Sequence, residues 1–272
     1  MPQHYVYRFY AELKDYEPKI WRRFEINGER TMAELGYALM LMFEMQASHL
    51  FCIVDNAKES IRSIMKEIYE GIGKEETPEI VSNYESMKNN RYELADEEAV
   101  EIIEMLGHER LVEADRVTIN REVGGRNWRA TMDYDYGDGW EVELVLEECE
   151  KQEISLTLLP RVLEGEGYGI IEDVGGVGGL EEFAKAMKKG KGKAYEEFRG
   201  WLGIDHLDME AFDRDDMNFR LKKLIRVYRD MYEHRLEPTE QSYKLLYREY
   251  KERKGSAGTG SASRGWAPPP KA

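Results

Sequence analysis

From Tyr5 to Leu13 the chain alternates: Tyr5, Tyr7, Phe9, Ala11 and Leu13 fall on one side, while Arg8, Tyr10, Glu12 and Lys14 fall on the other. A period of two predicts a strand with one buried face. Pro18 interrupts it, extended character resumes from Ile20 to Ile26, and Asn27-Gly28 offers a turn. A second strand, antiparallel to the first, is expected. Thr31 and Glu34 have the spacing of a capping box, so a helix begins near Met32 with Leu35, Leu39, Met42 and Phe43 on one face. His49 to Val54 reads as a strand. Ile61, Ile64, Met65, Ile68 and Tyr69 form a helical stripe between Lys58 and Gly71. Residues 72–95 show no sustained period and read as loop with room for a short helix. Asp96 caps an expected helix through Leu106, and Leu111 to Ile119 reads as a strand.

The clearest alternation comes next. Trp128, Ala130, Met132, Tyr134 and Tyr136 are expected on one face, opposite Asp133 and Asp135; after Gly137-Asp138-Gly139, Trp140, Val142, Leu144 and Leu146 repeat the pattern against Glu141, Glu143 and Glu147. This is a hairpin whose turn is loaded with carboxylates. Ile154 to Leu159 reads as a further strand, stopped by Pro160. Residues 165–179 are dense in glycine, which signals a loop with unusual backbone angles or close approach by another segment. Leu180, Phe183, Ala184 and Met187 then open a helix. Tyr195 to Leu202, Leu221 to Tyr232, and Tyr243 to Tyr250 follow at helical spacing, with Pro238 between the last two.

These elements predict an α+β fold: a largely antiparallel sheet with helices packed on it, then a helical C-terminal extension. The expected units are residues 1–189, a helical stretch 190–254, and residues 255–272 as a disordered tail or added linker. Composition narrows the function classes. A net charge of -15 opposes nonspecific attraction to nucleic acid or anionic lipid. The charge is segregated, with 11 basic and 6 acidic residues between Arg220 and Lys254. Lys222, Lys223, Arg226 and Arg229 therefore form a candidate basic helix surface, for which a solvated helix face is the favoured reading. Cys52 and Cys149 are the only cysteines, and both read as core thiols. Without a secretory pattern or an apolar run of membrane length, a cytoplasmic location is expected.

Several stretches resemble one family. Pro18-Lys19-Ile20-Trp21-Arg22-Arg23, His49-Leu50-Phe51 at the end of a helix, Tyr134-Asp135-Tyr136-Gly137-Asp138-Gly139-Trp140, and Glu172-Asp173-Val174-Gly175-Gly176-Val177-Gly178-Gly179 resemble, in order and spacing over about residues 5–187, the signatures of the plasmid pRiA4b ORF-3-like family. The resemblance implies a compact α+β domain of mobile-element association, sometimes labelled a transposon passenger protein, and names no reaction. Two positions depart from it: Val142 stands where the family commonly has His, and Ile170-Ile171 where it often has Pro-Pro.

Candidate chemistry centres on the carboxylates. Asp135, Asp138 and Glu141 gather at the hairpin end, and Glu172 and Asp173 lie in a glycine loop able to fold over it. Oxygen ligands of this kind suit magnesium or manganese, and Asp135, Asp138, Glu172 and Asp173 form the candidate metal set, with Glu141 as a candidate base for phosphodiester hydrolysis. Turn architecture is the competing explanation, because Asp stabilises tight turns through its own backbone. The register of a calcium loop fails at Asp138 and Leu144, and no nucleophile, dinucleotide or phosphate-loop motif is complete. His49 is the one histidine inside a motif and reads as structural or as part of a ligand surface with Asp135, Asp138, Trp140, Glu141, Glu172, Asp173, Gly175 and Gly176. The leading expectation is a non-enzymatic module that binds a protein partner, with no cofactor expected. The alternatives are a divalent-metal phosphodiesterase or nuclease at these carboxylates, and a nucleic-acid accessory protein acting through the basic helices. Asp135, Asp138 and Trp140 are expected to lie close to Glu172, Asp173 and the Gly175-Gly176 turn, where any ligand of the α+β body is to be sought first.

Overall fold

Alternation along Tyr5–Leu13 yields β1 (Gln3–Leu13), which pairs antiparallel with β2 (Trp21–Asn27). The computed structural model describes residues 2–246 except 76, 96–99, 102, 104, 106 and 125–127. β3 (Phe51–Asp55), β4 (Asn89–Glu93), β5 (Glu109–Glu113), β6 (Arg129–Tyr134), β7 (Trp140–Glu153) and β8 (Arg161–Glu166) complete one eight-stranded sheet in the order β5-β4-β3-β6-β7-β1-β2-β8. Only β4 and β5 run parallel. The fold is α+β.

One face of the sheet is dry. Phe9, Phe24, Ile53, Met132, Tyr134 and Val142 are fully buried there beneath α1 (Met32–Met42). Every residue of α1 is buried, because the long helix Arg214–His234 lies across its other side, with Tyr37 stacked on Tyr232 at 5.6 Å. The expected capping box at Thr31 and Glu34 is present. Met217, Leu221, Leu224, Ile225 and Tyr228 of the long helix belong to the same core as the sheet. The opposite face is wet and charged, as antiparallel sheets allow: Arg23 pairs with Glu147 and Glu164, and Tyr10 stacks on Trp21.

Several expectations change. Residues 154–159 form a single 3-10 turn (Leu156–Leu158) capped by Ser155, and the strand comes after Pro160 as β8, so Gly165 lies in a strand instead of a loop. The stretch 72–95 contains α3 (Pro78–Glu85), started by Thr77 and proline at its first turn, as well as β4. The strand expected over 111–119 lies at 109–113, and Ile119–Glu122 is one helical turn. α2 (Ala57–Gly71) forms, yet buries no residue. Cys52 is buried but Cys149 is exposed: it pairs with Tyr7 past the bulge, in the last part of β7, where most residues are exposed. Of the helix expected between Asp96 and Leu106, residues 100, 101, 103 and 105 are helical and both named ends lie outside the described residues. The last helix is described over Glu240–Leu246, and the tail 255–272 lies outside the described residues. Among the described residues no helix is long and apolar enough to cross a membrane.

Candidate metal centre

The hairpin turn is built by Asp135. It takes a left-handed backbone (φ 54°), its Oδ1 accepts the N–H groups of Gly137 at 3.0 Å and Asp138 at 3.4 Å, and its carbonyl accepts Gly139 N–H at 2.6 Å. This is the Asx turn that its residue type favours. The left-handed residue also inverts the alternation. Tyr136 does not join Tyr134 in the core; it is half exposed on the other face, where its hydroxyl meets Arg91 and Glu93. One carboxylate oxygen of Asp135, Oδ2, is left over and stands 3.5 Å from His49 Nε2.

The hairpin tip meets the glycine loop as its residue types require. Asp138 Oδ2 accepts the Gly175 N–H at 3.1 Å, and Gly176, at φ 67°, brings its backbone so close that a Cβ would sit 2.5 Å from the Asp138 carbonyl. Only glycine satisfies both the angle and the space. The helix Gly176–Lys189 starts there. This contact fixes the preceding Glu172-Asp173 pair beside the hairpin.

Residues 43–50, between α1 and β3, bring the imidazole. Glu44 and Ala47 adopt positive φ, and the long helix holds the loop at three points. Arg220 forks onto the Glu44 carboxylate, Tyr228 Oη donates to the Met45 carbonyl at 2.6 Å, and Tyr232 Oη donates to the His49 carbonyl at 2.5 Å. The Tyr134 ring lies edge-on to His49.

Glu172 is buried. Its Oε1 accepts the Gln46 N–H at 2.5 Å and the Tyr134 hydroxyl at 2.7 Å, whereas its Oε2 has no hydrogen-bond partner and lies 3.6 Å from His49 Nε2. Burial raises the Glu172 pKa above the ordinary carboxylate value, while the Gln46 N–H and the Tyr134 hydroxyl pull it the other way. Asp173 Oδ1 is also 3.6 Å from His49 Nε2, and its largely exposed side chain is the open side of the cluster. One ligand atom each of His49, Asp135 and Asp173 lie within 4.8 Å of one another. Separations of 3.5–3.6 Å exceed an N–H···O hydrogen bond. They approach the roughly 3.0–3.5 Å between neighbouring ligand atoms that share a cation at about 2.1 Å.

The structure thus brings together His49, Asp135, Glu172 and Asp173, with Asp138, Gly175 and Gly176 holding the two loops to each other. Trp140 pairs with Tyr134 across the hairpin and is fully buried beneath it. Glu141 is elsewhere: adjacent strand residues point to opposite faces, and its carboxylate pairs with Lys14 at 2.6 Å, which removes it as a base for this site. Lys222, Lys223 and Arg226 are exposed on the long helix and Arg229 is half-buried. Sequence reasoning missed Tyr134, Gln46, Tyr228 and Tyr232. The available cue was tyrosine at buried positions, where the hydroxyl needs a partner.

In the comparisons with known proteins, 33% of residues are identical over 85 residues to the uncharacterized protein y4hQ of Sinorhizobium fredii (strain NBRC 101917 / NGR234), a match that spans 31% of this chain and 43% of that protein. The chain therefore matches less than half of that relative's length. A crystal structure of a protein of unknown function, MM3350 from Methanosarcina mazei Go1, shares the fold with a TM-score of 0.58 at 23% identity, covering 78% of this chain and 97% of that one. The family model described as plasmid pRiA4b ORF-3-like protein matches residues 5–216, a span that holds the hairpin, the glycine loop and His49, and the chain belongs to that family.

Proposed function

We propose that this protein binds a divalent transition-metal ion through His49, Asp135, Glu172 and Asp173 and uses it for hydrolysis. The observation that carries the reading is the Glu172 Oε2 atom, buried and without a hydrogen-bond partner, converging with two other carboxylates on one imidazole. Three carboxylates against one histidine leave negative charge in a largely buried setting, and a cation compensates it. The imidazole shifts the expected metal from magnesium towards manganese or zinc, since nitrogen ligands suit those ions better than the harder ones. A bound ion would supply an acidified water and polarise a phosphoryl or carbonyl oxygen. The exposed side of Asp173 leaves room for substrate. A phosphodiester is the favoured bond because its oxygens pair well with a divalent ion.

The test is calorimetric titration of the chain, freed of metal by chelation, with Mn2+ and Zn2+, followed by assay on bis(p-nitrophenyl) phosphate. Saturable binding that is lost in His49→Ala and Asp135→Asn, with turnover lost alongside it, is the expected outcome. An absence of binding at millimolar metal defeats the proposal. Binding without turnover leaves a metal-binding protein and defeats the hydrolase.

A further inference from the structure

At the N-terminal end of α1, a groove of about 390 Å³ lies between the long helix and the 3-10 turn after β7. Its floor is apolar, with Leu159, Leu221 and Ile225 showing little surface. Its walls are basic: Arg30, Lys222, Arg226 and Arg229 line it against a single acid, Glu34. That acid is already committed. Glu34 closes the capping box on the Thr31 N–H and accepts Arg30 Nη1 at 2.7 Å, so Arg229 comes no nearer to it than 3.7 Å. Arg229 Nε is buried with no hydrogen-bond partner. Lys222 makes no ion pair among the described residues, and Arg226 has a 3.6 Å contact with Asp230 one turn along.

We infer that this groove binds an acidic segment of a partner protein, with an aliphatic side chain on the Leu221 and Ile225 floor and flanking carboxylates on Arg226, Arg229 and Lys222. The chemistry selects the occupant. Guanidinium groups take carboxylates in paired hydrogen bonds, and the exposed Arg226 guanidinium and Lys222 ammonium on the groove wall offer such donors. The apolar floor asks for a side chain that a free anion lacks. An extended polyanion such as nucleic acid has to continue past the groove over a chain of net charge -15, whereas a short peptide ends within the basic patch. The proposal is independent of the metal centre, and the basic helix residues singled out in the sequence supply its walls.

The experiment is fluorescence anisotropy with the full chain and three labelled probes: a decapeptide alternating Glu and Leu, the same peptide with Ser for Leu, and a ten-residue oligothymidine. Saturable binding of the Glu/Leu peptide, weaker binding of the Ser version, and loss on raising salt are expected. Lys222→Glu and Arg226→Glu should each weaken the Glu/Leu complex about fivefold or more with little change in melting temperature, since both side chains are exposed in the free protein. Absence of saturable binding overturns the inference, as do equal affinities for the charge-reversed variants. Tighter binding of oligothymidine than of the Glu/Leu peptide assigns the groove to nucleic acid and overturns it too.

Discussion

Arg220→Met tests whether the long helix sets the geometry of the metal loop. Arg220 is 3% exposed, its two terminal nitrogens fork onto Glu44, and its Nε donates to Asp216 at 3.1 Å. The Glu44 side chain is itself only 9% exposed. Methionine keeps much of the side-chain volume, so the dominant cost is the loss of the forked pairing on a buried carboxylate, about 3–5 kcal/mol. For a chain of this size each kcal/mol moves Tm by about 2–4 °C, so a fall of about 6–20 °C is expected. Urea unfolding followed by tryptophan fluorescence reads the same loss as a lower midpoint at constant slope. Adding Glu44→Gln to Arg220→Met should recover most of it, because a neutral amide tolerates burial far better than a carboxylate that has lost its forked partner. A cost below about 1 kcal/mol for the single variant, or additive costs in the double, would refute the reasoning.

Three further outcomes follow from the same geometry. Gly176→Ala should destabilise by about 2 kcal/mol or more, since a Cβ meets the Asp138 carbonyl at 2.5 Å at a φ of 67°, and it should abolish Mn2+ binding; unchanged calorimetric affinity would separate the glycine loop from the centre. Tyr232→Phe removes the hydroxyl that holds the His49 carbonyl, and the expected result is about 1 kcal/mol of lost stability with a several-fold weaker Mn2+ affinity. The third concerns alkaline pH. Burial raises the pKa of Tyr228 and Tyr37 well above 10.0, so the native state keeps protons that the unfolded chain loses. Their contribution is complete below about pH 10 and falls as pH rises beyond it, by about 1.4 kcal/mol per pH unit for each tyrosine. Urea midpoints from pH 9 to about 11.5 should fall less steeply in Tyr228→Phe, and an unchanged slope would contradict the assignment.

The sheet was legible because its strands follow a period of two with one wet face, as in Tyr7–Leu13 and Trp140–Leu144, although Tyr5 is exposed and Val6 buried. The hairpin, the capping box and the approach of Asp138 to Gly175 were legible for the same local reasons. What failed did so where a single residue resets the pattern. Asp135 in the left-handed region inverts the face of Tyr136. β4 was hidden because Asn89-Asn90-Arg91-Tyr92-Glu93 has little apolar content; its pairing on both sides makes it a strand. At the candidate site the sequence pointed to the carboxylates but not to their convergence on His49. That depends on residues 43–50 being pulled into place by Tyr228 and Tyr232, a tertiary contact spanning 183 positions in each case. Asp138, an expected ligand, instead spends its Oδ2 on the loop backbone.

Strain offers the sharpest separation of architecture from function. Six non-glycine residues among those described have positive φ, and four of them, Glu44, Ala47, Asp135 and Asp173, lie in the three segments that form the cluster. Left-handed backbone in such residues costs of order 1 kcal/mol each, so it persists where something over-determines it. For Asp135 the Asx turn is one such cause. Asp173 has φ 58° and a side chain 73% exposed, and its contact with the cluster is the 3.6 Å approach to His49. Asp173→Gly therefore distinguishes the two explanations. If Asp173 is there to hold a cation, glycine relieves the backbone while removing a ligand, so stability of the metal-free chain should stay level or rise by up to about 1 kcal/mol while Mn2+ affinity falls at least tenfold. If Asp173 instead stabilises the fold through His49, the same substitution should lower the urea midpoint of the metal-free chain and leave no cation affinity to lose. Opposite movements of stability and affinity are the mark of a residue kept for chemistry, and a joint fall of the midpoint with no measurable Mn2+ binding would return the cluster to turn architecture.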